Sequence, residues 1–111
     1  MINVYLISAQ FGDKKLYKIG YTKRDINERI KEFKTGNVSD FIIENSFHSK
    51  WGTKIEANLH RRFKTQKVRG EWFDLKKEDI DNFESYCKLI HNNLEIIENG
   101  NTYFIDRGGR F

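Results

Sequence analysis

Two hydrophobic periods run along this chain, and the places where one gives way to the other divide it into elements. Residues 2–8 and 15–21 are rich in Tyr, Ile, Val and Leu, and the turn residues of Gln10, Phe11, Gly12, Asp13 and Lys14 lie between them, which predicts an antiparallel hairpin. Asp25 with Glu28 three positions on has the form of a helix start, and Ile26, Ile30 and Phe33 follow at helical spacing. The first helix is therefore expected over 25–34, ended by Gly36 and Asn37. Residues 41–47 read as a third strand. Thr53 and Glu56 repeat the capping-box form ahead of the stripe Ile55, Leu59 and Phe63, predicting a second helix over 53–64. Beyond Gly70, residues 71–75 read as a short extended piece, and Ile80, Phe83, Cys87 and Ile90 predict a third helix over 76–91. Asn99-Gly100 between 94–98 and 102–105 is a strong hairpin signal.

These elements make a small α/β (α+β) fold with a central, mainly antiparallel three-stranded sheet flanked by helices. Residues 1–75 form its core, 76–106 a C-terminal helix and hairpin packed on the same domain, and 107–111 a flexible tail. A length of 111 residues with 38% hydrophobic content and no proline suits one domain with one modest core. The longest apolar runs, residues 4–7 and 41–43, fall far short of the roughly 20 residues that cross a bilayer. The N-terminus has no secretory pattern and the lone Cys87 has no disulfide partner, so a cytoplasmic location is expected, in a host cell if the chain is viral. Cys87 lies in step with Ile80, Phe83 and Ile90 and reads as a buried small hydrophobe.

Charge changes the picture, because residues 50–70 carry Lys50, Lys54, Arg61, Arg62, Lys64, Lys67 and Arg69 against Glu56 alone, whereas 71–98 is acidic. A face of this kind attracts phosphate backbones by counterion release, which makes nucleic acid the leading partner; solvated lysines that only confer solubility are the alternative. The candidate backbone contacts are Lys23, Arg24, Arg61, Arg62, Lys64, Lys67 and Arg69.

The order of hairpin, arginine helix, strand and glutamate helix resembles the GIY-YIG endonuclease superfamily over residues 1–75. The likeness rests on Val4-Tyr5, Lys18-Ile19-Gly20-Tyr21-Thr22, Arg29-Ile30, Glu56 with His60, and Gly70-Glu71-Trp72-Phe73. In detail it is similar to the short phage- and virus-associated branch, with KIG in place of YIG and a closing GEWF. The resemblance implies a divalent-metal-dependent DNA endonuclease that hydrolyses phosphodiester bonds with Mg²⁺ or Mn²⁺ and no organic cofactor.

On that resemblance Tyr5 activates or orients the attacking water, although a free phenol with a pKa near 10 needs help to act as a base, and packing on the sheet is its other reading. Arg29 is implied to stabilise charge on the phosphoryl oxygens; otherwise it is a surface partner for Asp25 or Glu32. Glu56 is implied to hold the metal, as single carboxylates do for Mg²⁺, but Thr53 also makes it a plain capping partner. His60, one turn on, is implied to assist proton transfer or position the phosphate, and has a structural reading too. Glu56 and His60 have too few companions for a zinc site.

The second motif departs from the family, since counting back from Gly20 puts Lys18 where a tyrosine is expected, with Tyr17 one residue earlier. Either Lys18 takes the site or a bulge turns Tyr17 inward. Asn3 likewise stands where the first motif carries glycine. Two rivals follow: a non-catalytic DNA-binding module of the same fold, and an RNA- or protein-interaction domain presenting Tyr17, Tyr21, Trp51 and Trp72. A domain this small reads few bases alone, so dimerisation or a specificity partner would be needed for sequence selection.

Overall fold

A computed structural model describes residues 1–33 and 41–99. In it β1 (Ile2–Phe11) and β2 (Lys14–Thr22) form the long hairpin, joined by Gly12 and Asp13 with Gly12 at φ +61°. That left-handed value at the first of two loop positions is open to glycine and rarely to other residues. α1 (Ile26–Ile30) follows, with the Asp25 carboxylate accepting from the backbone N–H groups of Asn27 and Glu28. Then come β3 (Ile42–Ser49), α2 (Gly52–Arg62), a 3₁₀ turn (Lys64–Gln66), β4 (Lys67–Arg69), β5 (Trp72–Phe73), α3 (Lys77–Asp81) and α4 (Phe83–Asn99).

The sheet has five strands in the order β3-β1-β2-β5-β4, every pair antiparallel, rather than the three expected. The two additions are three and two residues long, too short for an alternating pattern to declare them, and Gly70 at φ +56° turns one into the other.

As the central long strand, β1 is covered on both sides, with residues 3–9 all buried. One face sends Val4, Leu6, Tyr17 and Ile19 into a core completed by Ile55, Leu59 and Phe63 from α2, Phe73, Leu75, and Phe83 and Cys87 from α4. Burial raises the Cys87 thiol to about 12, as befits a small core hydrophobe. The other face carries Tyr5 and Lys18 beneath Phe33, Phe41 and Trp72.

Four expectations about helices need correction. α2 begins at Gly52 with Trp51 as its cap, so Thr53 and Glu56 form no capping box. Its start is set instead by Ser49 Oγ accepting from Trp51 N–H at 2.9 Å and by Gly52, where a Cβ would crowd Ile2 Cβ at 2.6 Å. The third helix is broken at Asn82 into α3 and α4.

Residues 94–98 are helical, not a strand, and α4 runs on to Asn99. Tertiary contacts outweigh the turn signal there: Leu94 continues the Phe83, Cys87 and Ile90 stripe onto the core, and Glu95 accepts from Trp51 Nε1 at 3.0 Å. The first helix stops at Ile30 with Lys31 as its C-cap, short of the expected 34 and of Gly36 and Asn37, because the N–H groups of Glu32 and Phe33 bond the carbonyls three residues back, of Arg29 and Ile30, and close the chain in tight turns. The other half of the expected hairpin, residues 102–105, and the tail 107–111 lie outside the described residues. Among those described, no helix is long and apolar enough to cross a membrane.

Candidate active site

The cross-strand partner of Tyr5 is Gly20, and the phenol lies across it. A Cβ on Gly20 would stand 2.6 Å from Tyr5 Cζ and 2.9 Å from Cε1, so the glycine of the second motif is there to make room for the tyrosine of the first. The ring is buried against Phe33, with centroids 6.0 Å apart. Burial, then the nearby Glu71 carboxylate, push the phenol up to about 12; the Arg29 guanidinium opposes them, and Glu56 adds a smaller upward push.

Arg29 reaches this spot because Asp25 caps α1 and aims its short helix back over the sheet. Its guanidinium lies 4.8 Å from the Phe33 ring and donates to Glu32 Oε1 at 2.7 Å, and Glu32 also accepts from Arg24 at 2.6 and 2.9 Å. The expected surface pairing with Glu32 therefore coexists with a position beside Tyr5. Asn3, on the same face, donates its amide N–H to Arg24 C=O at 3.2 Å and tethers the segment leading into α1.

The hairpin pairs without a bulge from Asn3 opposite Thr22 to Phe11 opposite Lys14. Strict alternation then decides between the two second-motif candidates: Tyr17 is buried in the helix-side core and Lys18 is on the Tyr5 side. This also removes Tyr17 from the set of exposed aromatics expected by the interaction-domain reading. The Lys18 ammonium is held 2.8 Å from Glu71 Oε1, 5.0 Å from the Phe33 ring and 5.7 Å from Trp72, with only 15% of the side chain exposed.

β5 covers β2 only at Tyr17 and Lys18, so beyond that point the outer edge of β2 has no strand neighbour. Two residues take its backbone groups. Ile19 N–H donates to Glu71 C=O at 3.2 Å, and His60 Nε2 donates to Ile19 C=O at 2.8 Å, which requires the proton on Nε2. The His60 ring is set edge-on to Phe73, 4.9 Å between centroids. One turn back on α2, the Glu56 carboxylate is 3.9 Å from His60 Nε2 with 14% of its side chain exposed. Burial raises its pKa; His60 opposes this, Glu71 reinforces it and Lys18 opposes it.

The uncovered edge of β2 thus gathers Tyr5, Lys18, Arg29, Glu56, His60 and Glu71, two cations and a histidine among two carboxylates and a phenol. Glu71, which the GEWF string offers either as an outer-shell residue for the metal or as a backbone cap, is at the site, but its pairing with Lys18 depends on the register of a two-residue strand and could not be read in advance. Among the described residues no three His, Cys, Asp or Glu side chains are arranged to hold a metal. The donor set does fit a hard cation that keeps most of its water: an oxygen ligand whose charge is already penalised by burial and by a second carboxylate.

Of the candidate backbone contacts, Lys23 and Arg24 precede α1, Arg61 and Arg62 end α2, Lys64 lies in the 3₁₀ turn, and Lys67 and Arg69 are on the edge strand β4, all exposed. Arg62 stacks on Tyr86 at 3.7 Å. Among the described residues, Lys23, Arg61, Arg62, Lys64, Lys67 and Arg69 enter no ion pair, whereas Arg24 is held by Glu32 and Lys50 by Glu95 and Glu98.

The family model of the T5orf172 domain, a phage-associated domain linked to the GIY-YIG/HNH-like endonuclease superfamily, matches residues 2–88. The match takes in α3 and the first turns of α4, past the boundary expected at residue 75. No curated protein and no solved structure matches the chain.

Proposed function

The chain belongs to the T5orf172 domain family, and from that premise we propose that it is a divalent-metal-dependent DNA endonuclease of GIY-YIG type. The observation that carries this reading is the convergence, at one uncovered strand edge, of a phenol, two cations and a half-buried carboxylate from four separate elements.

In this mechanism Glu56 is the metal ligand, with Glu71 at the outer shell, and a bound Mg²⁺ or Mn²⁺ would supply Lewis-acid polarisation of the phosphoryl oxygen and a more acidic water. Arg29 and Lys18 bind the scissile phosphate and meet the negative charge that builds on its non-bridging oxygens. Each is poised by a carboxylate partner, Glu32 and Glu71, that a phosphate replaces in part. Tyr5 orients the attacking water through its hydroxyl, and the Arg29 guanidinium is the group in place to favour its ionised form. His60 acts as a positioning residue, since its Nε2 proton is committed to Ile19 C=O and fixes the strand edge on which Lys18 and Gly20 lie. The unpaired cations from Arg61 to Arg69, with Lys23, track the DNA backbone without reading sequence.

A specific observation favours a second reading. The Tyr5 phenol is buried and pushed up to about 12, far from a base at neutral pH, which suits a DNA-binding module that retains the fold without the chemistry. Incubation of plasmid and branched DNA with Mg²⁺ or Mn²⁺ separates the two. Cleavage that excess chelator abolishes is the expected result, and binding without cleavage in either metal would establish the module instead.

A further inference from the structure

Next to Lys18 the sheet face opens into a cleft of about 200 Å³ lined by Lys18, Glu32, Phe33, Phe41 and Trp72. All three rings are only half-buried, although a core that wanted only their apolar area would close over them. Phe41 and Trp72 are tilted by 32° with centroids 6.2 Å apart, Phe33 meets Phe41 edge-on at 5.9 Å, and Phe11 meets Trp72 edge-on at 5.0 Å. The volume suits a single planar heterocycle and falls below the about 300–1,000 Å³ of sites for drug-sized ligands.

We infer that this cleft receives the base of an unpaired nucleotide beside the scissile phosphate, so that the substrate is DNA with an unstacked nucleotide rather than a perfect duplex. The inference rests on the phosphodiesterase reading of the adjoining site. Lys18 belongs to both, lining the cleft and facing the Tyr5 side of the sheet, so a phosphate held there leaves its nucleotide one sugar from the rings. Aromatic faces stack on any base, whatever its sequence. A base stacked and paired within a duplex has no free face to offer, so only a nucleotide already unpaired, or one extruded against the cost of unstacking and unpairing, can enter. The Glu32 carboxylate at the rim is held by Arg24 as well as by Arg29, so it keeps a cation partner when Arg29 turns to the phosphate.

The test uses the full chain in chelator, where no DNA is cut, with three probes: a perfect duplex, the same duplex with one unpaired central nucleotide, and that bulge replaced by 2-aminopurine. The unpaired probe should bind at least about tenfold more tightly than the perfect duplex at equal salt, and 2-aminopurine emission should fall on binding. Phe41→Leu, which keeps apolar bulk but not the ring, should weaken the unpaired probe by about 5-fold or more, the equivalent of about 1 kcal/mol. Equal affinity for the first two probes, or no loss of 2-aminopurine emission with the unaltered protein, overturns the inference whether or not the variant folds. Because cutting is not read here, a protein that passes yet never cleaves fails only the nuclease reading, and one that cleaves but shows no preference fails only this one.

Discussion

Replacing Gly20 by alanine should destabilise the protein, against the usual sign for a strand, where alanine is favoured over glycine by roughly 0.5–1 kcal/mol. The reason is local: the added methyl would lie 2.6 Å from Tyr5 Cζ and 2.9 Å from Cε1, and still nearer the hydroxyl. Ordinary contacts begin near 3.4 Å, so the ring must retreat by several tenths of an ångström or more. It has nowhere to go, being buried between the strand and Phe33. Overpacking of this kind costs about 1–3 kcal/mol, and for a domain of this size each kcal/mol lowers Tm by about 4–8 °C. Urea unfolding followed by circular dichroism measures it. The assignment to Tyr5 is tested by a double-mutant cycle: in a Tyr5→Leu background the alanine should cost little, leaving a coupling of about 1 kcal/mol or more. A neutral Gly20→Ala, or the same cost in both backgrounds, would refute the account of why this glycine is there.

Lys18→Ala should slow cleavage at least about tenfold, roughly 1.4 kcal/mol of transition-state stabilisation, while Tyr17→Phe, on the core side, should keep activity; single-turnover rates decide, and the reverse pattern would put Tyr17 in the site. Charge removal at Arg61 and Arg62 together should flatten the slope of log affinity against log salt by about 2, roughly one per lost phosphate contact, with sequence preference unaltered in a binding titration. The raised pKa of Glu56 fixes the sign of a pH effect: its contribution to stability is present below the ordinary glutamate range and lost as pH rises through the higher folded value. Glu56→Gln should therefore raise Tm at neutral pH and bring no gain below about pH 4, near the ordinary value for a free glutamate; a loss of Tm at neutral pH would show that the carboxylate has a supporting role in α2.

The parts of the fold that could be read from sequence are those whose signal is carried by many residues in phase. The β1 and β2 runs, the Asp25 cap and the Ile55, Leu59 and Phe63 stripe all appear in the structure with small shifts of boundary. What escaped was decided by single tertiary contacts. β4 and β5 exist because Trp72 and Phe73 pair with Lys18 and Tyr17, and no local pattern announces a two-residue strand. The capping-box string at Thr53 and Glu56 is present in sequence but idle, because Ser49 and the close fit of Gly52 on Ile2 start the helix earlier. Asn99-Gly100 is a hairpin signal in sequence, yet residues 94–98 are helical and follow the core stripe and the Trp51 bond to Glu95.

The candidate site divides in the same way. Tyr5, Lys18, Arg29, Glu56 and His60 could be named in advance because motif spacing carries them, and the alternation of β2 then separates Lys18 from Tyr17 without ambiguity. The Lys18 partnership of Glu71 and the rings of Phe33 and Phe41 could not, since their places depend on the register of β5 and on packing against the sheet. His60 shows the limit of a motif: the residue is at the site, but its ring nitrogen is bonded to a backbone carbonyl and supports the strand edge.

The most direct test of the central claim is nicking of supercoiled plasmid in Mg²⁺ by the unaltered protein beside Glu56→Gln, with DNA binding and circular dichroism measured on the same preparations. The account predicts chelator-sensitive nicking by the first, loss of nicking by the second, and the same circular-dichroism spectrum and DNA binding in both. Nicking that survives in Glu56→Gln or in excess chelator would contradict it.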